Sequence, residues 1–477
     1  MTHYTSRENG KRKHSSVPKF APKIAVLIAG YALLLLIANL TIPLTIPEIL
    51  QLAGSRHYAS LSLVQWIART PGAAPLNYFV QLPFVLIFGY SRAGARLDSV
   101  LFAAGASYLF FRIARRVQLR WPLAATLVFV LLPLHLQLAI LGRPFEQAMF
   151  LLLLATWCYF HVLERPGILV AALYGVLLLL CLYTDPFSYL PAVGYVVFLL
   201  RFIDRAQERR AVWFLLPATA APPLLFLPYY MWARPQVFPY WLTQAPREME
   251  SSYASILQGF AGDPWTSTAL VLLLLAGVAI GAWRTFEPAA GAIGRRILLF
   301  ALFGGIVSTA GFVAFLNVWA GASFSAQQIF WTAPGAVILP FAATDWLASK
   351  LRIRWTAPAV AGLLVVLCVL GNLSSISNRT EDMQAEAVSV AQELTGDACV
   401  VFVSERMSRV LFVMFDPQLR SRECLNFFHK RVVLASHPYV TPNQQQSAET
   451  FFKGLNFSEV KRMRVGGGQI IVLEQGI

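Results

Sequence analysis

From Ile24 to Ile42 the chain runs without a single charged side chain, and that stretch decides much of what the sequence can become. A bilayer core about 30 Å thick takes roughly 17–25 apolar residues per helix, so this stretch is long enough to cross one. Further candidates are Ala93–Phe111, Trp121–Leu141, Gln147–Leu163, Ile168–Tyr183, Phe187–Leu200, Ala211–Trp232, Trp265–Trp283, Ile297–Trp319, Ile329–Leu347 and Ala357–Leu373. Charged residues make up 13% of the 477 positions and hydrophobic residues 57%. A soluble domain carries roughly 25% charge. A soluble enzyme, a disordered chain, a collagen and a coiled coil are thereby excluded. The expected fold class is a polytopic α-helical membrane protein of about 11 transmembrane helices.

The net charge of +15 suggests nucleic acid until the basic residues are located. Most lie between apolar segments, which points to membrane orientation and not to a nucleic-acid partner. With a cytoplasmic amino terminus, the inner segments hold Arg7, Lys11, Arg12, Lys13, Lys19 and Lys23, then the Arg112, Arg165, Arg201, Arg284 and Lys350 clusters. That gives about 21 Lys and Arg inside against about 7 outside. Asn77–Phe88 is too short for a crossing, and letting it cross would weaken the bias, so it is expected to lie on the outer surface. The organisation that follows is a basic cytoplasmic tail (1–23), a transmembrane region (24–373) with a first outer loop at 43–92, and a more polar region at 374–477. In a bacterium this is a multi-pass protein of the inner membrane, its last region periplasmic.

Residues 374–477 are expected to form a small extracytoplasmic α/β domain. Thr380–Leu394 and the segment from Thr441-Pro442 through Lys453 suit helices, while Cys399–Val403, Val432–Ala435 and Gln469–Leu473 suit strands. Gly466-Gly467-Gly468 precedes a strand, so a turn is expected there and not a phosphate cradle. Cys399 and Cys424 share the outer side and are available to pair, their separation in space being open at this point. Cys158, Cys181 and Cys368 fall within spans, where a structural role is the default.

Ionisable groups beside the apolar layer are expensive and therefore informative. Glu48 follows the first span, Glu146 stands at one outer helix end in Gly142-Arg143-Pro144-Phe145-Glu146, and Asp185 at another in Tyr183-Thr184-Asp185-Pro186. Three helices thus raise a carboxylate to one face, where Arg56, His57, Arg69, Arg92, Arg96 and Arg143 also gather. Carboxylates beside arginines suit a site that activates a hydroxyl while holding an anionic phosphate. Plainer roles compete: Asp185 and Glu48 as helix caps, Glu146 as a first-turn dipole partner or a partner of Arg143, Asp98 in a local ion pair with Arg96. No Walker loop, dinucleotide fingerprint or zinc spacing is present, so no resident cofactor is expected. A divalent cation held weakly by one carboxylate and waters stays open.

Pro75-Leu76-Asn77-Tyr78, Phe88-Gly89-Tyr90-Ser91 and Arg96-Leu97-Asp98-Ser99-Val100-Leu101-Phe102, with Arg143-Pro144-Phe145 and Tyr183-Thr184-Asp185, resemble the motif series of bacterial family 39 glycosyltransferases of the GT-C superfamily. They are most similar to the group related to lipopolysaccharide galacturonosyltransferases. The resemblance covers roughly residues 24–435. Where that family has an Asp-Glu pair after the first span this chain has Pro47-Glu48, its His is Asp185, and its outer Arg-Tyr is Gln328-Ile329-Phe330.

The resemblance implies a GT-C-like fold and an inverting transfer from a polyprenyl-phosphate sugar to a lipid or glycan acceptor at the outer face. It assigns Glu48 as general base, Arg56, His57, Arg96 and Arg143 as donor-phosphate contacts, and Glu146 or Asp185 to orient the acceptor. The missing Asp leaves a second expectation beside it: a catalytically inactive relative that binds a lipid-linked glycan or serves in an assembly. A transporter would call for charges at mid-membrane and paired broken helices, whereas the acids here gather at one face.

Overall fold

The computed structural model describes residues 21–45, 48–49, 51–52, 55, 75–89, 91–201, 206–243, 264–286, 298–315, 329–351, 356–377, 383–403, 412, 416–424, 430–436, 440, 442–465 and 468–475. Every expected span carries a helix. The first is α1 (Ala21–Thr41), followed by α2 (Pro75–Phe88), α3 (Arg92–Arg116), α4 (Pro122–Leu131), α5 (Pro133–Ile140), α6 (Phe145–Glu164) and α7 (Ile168–Thr184). A 3₁₀ turn at Pro186–Tyr189 leads into α8 (Leu190–Arg201), then α9 (Ala206–Thr243) and α10 (Pro264–Phe286). A π-helical segment, Leu298–Val307, runs into α11 (Ser308–Phe315), and α12 (Thr332–Leu351) and α13 (Thr356–Ser377) complete the helical region. By length and composition four helices among the described residues can cross a membrane, or five if a bent pair counts as one. Ile168–Thr184, Thr268–Trp283 and Pro358–Leu373 are apolar but shorter.

That bent pair is α4 and α5, read in the sequence as one span, Trp121–Leu141, but turned by 58° between Leu131 and Pro133. Pro133 has no amide hydrogen to donate, and its ring displaces the carbonyl one turn earlier, so the helix restarts in a new direction. The turn matters because the short second piece delivers Gly142 and Arg143 to the end of α3. Elsewhere helices approach through small residues, as membrane helices do. A side chain on Gly281 of α10 would come within 2.5 Å of the Leu339 carbonyl of α12.

α2 does not cross. Its 14 residues bury Asn77, Tyr78, Gln81 and Val85 against α3 and α7, and leave Leu86 and Ile87 exposed.

The last region is a small α/β unit, as its sequence suggests. It comprises α14 (Met383–Glu393), β1 (Ala398–Phe402), β2 (Arg431–Ser436), α15 (Pro442–Gly454), β3 (Phe457–Val465) and β4 (Gly468–Gln475). The sheet order is β1-β2-β4-β3, with β1 and β2 parallel and the rest antiparallel. β3 was not legible: it reads Phe-Ser-Glu-Val-Lys-Arg-Met-Arg-Val and is almost wholly solvent-facing, so it lacks a buried alternation. Most of the glycine turn lies outside the described residues, but Val465 and Gly468 pair across it. Ala387, Val390, Phe402, Phe412 and Val433 share one core with Ile49, Leu52, Val85 and Ala95. The domain therefore packs onto the start of the first loop and the adjoining ends of α2 and α3.

Cys399 and Cys424 form a disulfide across 25 residues. Closing a loop of that size restricts the unfolded chain and contributes roughly 2–4 kcal/mol. Replacing both by Ser is expected to make this domain the first region cleaved in pulse proteolysis of the full chain. A cleavage rate equal to wild type contradicts that contribution.

Candidate active site

Glu48 is fully buried, and five donors converge on its two carboxylate oxygens. Arg96 approaches bidentately, Nε to Oε1 at 2.6 Å and Nη2 to Oε2 at 2.9 Å. The Gly142 amide donates to Oε1 at 2.8 Å, and the Thr45 amide and hydroxyl donate to Oε2 at 2.7 and 2.8 Å. Gly142 is required there, because a Cβ would lie 2.2 Å from the Ala95 carbonyl. Arg96 spends its remaining reach on the Ile42 and Pro43 carbonyls at 2.8 and 2.6 Å, which tie the end of the first span to α3. Burial alone would raise the Glu48 pKa. The hydrogen bonds and charge of Arg96, with the two amides, outweigh it and hold the carboxyl below its usual range.

These contacts bear on two expected roles. A saturated, low-pKa carboxylate is a poor proton acceptor, so the geometry does not equip Glu48 as the general base. Arg96 is equally sealed, and its guanidinium has no face open to a phosphate. Its partner is Glu48 and not Asp98, which is buried with Oδ1 unpaired.

The half-buried Arg143, on the turn that presents Gly142, interacts electrostatically with Tyr78 of α2, with Glu48 and with Asp185. Asp185 caps the 3₁₀ turn, Oδ1 accepting from the Phe187 amide at 3.1 Å, while its own carbonyl accepts from Ser188 Oγ at 2.6 Å. Its other carboxylate oxygen, Oδ2, is buried and has no hydrogen-bond partner among the described residues. Burial raises the Asp185 pKa to about 6, the Phe187 amide and Arg143 pulling the other way. The cap thus uses one carboxylate oxygen and leaves the other without a hydrogen bond among the described residues. Beside it an aromatic wall runs through Tyr183, Phe226, Tyr229 and Trp232, neighbouring ring centroids lying 5.2–6.0 Å apart.

Glu146 lies at the same end of the bundle, in the first turn of α6, fully buried. It does not pair with Arg143. Its Oε2 is 3.5 Å from Nε2 of the buried His135, whose Nδ1 lies 2.9 Å from the Tyr31 hydroxyl. Sequence reasoning missed His135, although a lone imidazole within an apolar run is a recognisable signal. It also missed the amides that brace the first loop: Gln51 donates to Asn77, Asn77 to Gln147 at 3.0 Å, and Gln81 to the Ala95 carbonyl at 2.8 Å. Arg56 and His57 lie outside the described residues. Among the described residues no group of three or more His, Cys, Asp or Glu side chains is placed to hold a metal ion.

Removing one partner of a buried ion pair leaves an uncompensated charge and costs roughly 3–5 kcal/mol. Glu48→Gln and Arg96→Gln are each expected to lower the thermal midpoint in detergent markedly. The double variant should lose less than the sum, because each single change already breaks the same contact. Strict additivity would show that the two groups are not coupled. Because the folded pKa of Glu48 is lowered, its stabilisation is present above the unfolded carboxyl's pKa of about 4.3 and is lost as pH falls below it.

No protein-family model and no curated protein matches the sequence. Solved structures do. The chain is similar to ArnT from Cupriavidus metallidurans, in the apo state and bound to undecaprenyl phosphate, at 15% identity and a TM-score of 0.58. That likeness covers 95% of this chain and 98% of that one. It is also similar to the oligosaccharyltransferase AglB from Archaeoglobus fulgidus, in complex with an inhibitory peptide and a dolichol-phosphate. There identity is 10%, the TM-score 0.53, and coverage 87% of this chain and 69% of that one. The architecture of α1 to α13 with its appended domain therefore shares the fold of the ArnT and AglB structures.

Proposed function

We propose that this chain is an integral-membrane glycosyltransferase that moves a sugar from a polyprenyl-phosphate donor to a lipid or glycan acceptor. The observation that carries the reading is the electrostatic interaction of Arg143 with an Asp185 whose Oδ2 has no hydrogen-bond partner among the described residues. Support also comes from the shared fold and from the lipid phosphates that the ArnT and AglB structures carry. In this scheme the ionised Asp185 takes the proton of the acceptor hydroxyl. The hydroxyl oxygen forms a bond to the anomeric carbon as the bond from that carbon to phosphate oxygen breaks. The electron pair leaves with the polyprenyl phosphate, and the sugar inverts.

Arg143 meets the charge that develops on the leaving phosphate. Arg56 and His57, a few residues beyond Glu48 in the first loop, would add to that phosphate site. Glu48 and Arg96 act as positioning residues, fixing Gly142 and with it the neighbouring Arg143. Glu146 would orient the acceptor. The basic residues favour a bacterial inner membrane with residues 374–477 in the periplasm, on the side where Asp185 lies.

An acid near pH 6 is matched to base catalysis at neutral pH. Transfer is expected to rise as pH climbs through about 6, where Asp185 ionises. Asp185→Asn should remove that limb and cut turnover roughly 10²–10⁴-fold while the lipid phosphate still binds. Mass spectrometry of envelope glycolipids in cells carrying wild type or Asp185→Asn reads the same step. An unchanged sugar complement with the variant would remove Asp185 from the chemistry. The sealing of Glu48 favours one alternative, a lipid-glycan binding subunit without turnover. Binding of polyprenyl-phosphate sugars with no transfer by wild type would establish it.

A further inference from the structure

Each half of the Glu48–Arg96 pair has a chain neighbour buried in the core of the last domain. Ile49 follows Glu48 and Ala95 precedes Arg96, and both are fully buried in one cluster with Val390 of α14 and Phe402, Val433 and Ile470 of the sheet. Strand alternation selects that face of the sheet. Val400 and Phe402 of β1 and Val433 of β2 belong to this core. Cys399, Val432 and Leu434 belong to the other side, with Phe452 of α15.

The segment that carries Glu48 has two faces. Glu48, Ile49, Gln51, Leu52 and Ser55 are helical, the Ile49 amide donating to the Thr45 carbonyl at 3.0 Å and Ser55 Oγ to the Gln51 carbonyl at 3.2 Å. At 100° per residue Ile49 and Leu52 fall on one stripe, and Glu48, Gln51 and Ser55 on the next. The apolar stripe enters the domain's core. The polar stripe meets the helical region: Glu48 binds Arg96 and the Gly142 amide, Gln51 donates to Asn77, and Ser55 donates to Gln81 at 3.0 Å. Gln81 in turn donates to the Ala95 carbonyl at 2.8 Å, against which the Gly142 backbone also lies. Side chains packed at interior density pass a displacement on and do not absorb it. A shift of the domain would therefore move both flanks of the ion pair.

We propose that the last domain is a positioning element of the candidate site. Through Ile49, Leu52 and Ala95 it clamps Glu48 against Arg96, and so fixes the Gly142 amide and the neighbouring Arg143. Ile49 and Leu52 are positioning residues, acting through Glu48. That Arg143 so placed serves transfer rests on the function proposed above; that the domain holds the Glu48 lock does not.

Hydrogen exchange of the full chain in detergent, read by mass spectrometry, follows the lock through the Gly142 amide. Two perturbations reach the domain from opposite sides. Leu52→Ala empties the loop's place in its core, and Cys399→Ser/Cys424→Ser loosens it from the far face of the sheet; reducing the disulfide of wild type in place does the latter without a mutation. Each is expected to speed exchange at Gly142 at least about tenfold. The Val117 amide, at the far end of α3, should keep its wild-type rate, and Leu52→Met, close in volume, should leave Gly142 unchanged. Wild-type exchange at Gly142 after either perturbation overturns the proposal. So does an equal acceleration at Val117, which would mark a general loss of stability. Transfer is measured on the same samples: faster exchange with undiminished transfer would contradict the role given to Arg143 and leave the clamp standing, and no transfer by wild type would bear on the proposed function alone.

Discussion

The ion pair between Glu48 and Arg96 is the contact on which the geometry of the candidate site depends. It joins the segment after α1 to the first turns of α3, and through the Gly142 amide it captures the turn between α5 and α6. Three stretches far apart in sequence are thereby fixed at one point. Buried ion pairs seldom add much net stability, since desolvation offsets attraction. What this pair supplies is register: it leaves Arg143, the next residue after Gly142, only one place to go. The cap at Asp185 performs a like service from the end of α7, holding one carboxylate oxygen on backbone and leaving the other without a hydrogen bond among the described residues.

Division of labour between carboxylates follows from their surroundings. Glu48 has a guanidinium and two amides, so its charged form is favoured and its oxygens are spent. Asp185 has one amide and a more distant cation in a buried setting, so its proton is held to about pH 6. Glu146 has only a histidine at 3.5 Å. Identical functional groups at one end of the helical region thus sit in different surroundings, according to how many donors each one meets.

The helical framework was readable because membrane crossing imposes a length and an apolar composition that few other structures share. The sheet of the last domain was partly readable, since β1, β2 and β4 are buried runs while β3 carries Glu459, Lys461, Arg462 and Arg464 at its surface. The break at Pro133 was not read, although proline within an apolar run is its cause. Among candidate site residues, Glu48, Arg96, Arg143, Glu146 and Asp185 do lie at one end of the helical region. Which of them stays available was not legible, because it depends on partners such as Gly142 and Thr45 that carry no sequence signal of their own. Asn77 and Tyr78 were singled out only within a motif, and Gln51 and Gln147 not at all, because these amides matter for what they face across 26 to 70 residues of chain.

The most direct measurement is a structure of the chain with undecaprenyl phosphate bound. The account predicts the phosphate beside Arg143, within reach of the Asp185 side, with Glu48 and Arg96 still locked together. A phosphate seated on Arg96, with Glu48 released from it, would contradict the assignment of this pair to positioning and return the chemistry to Glu48.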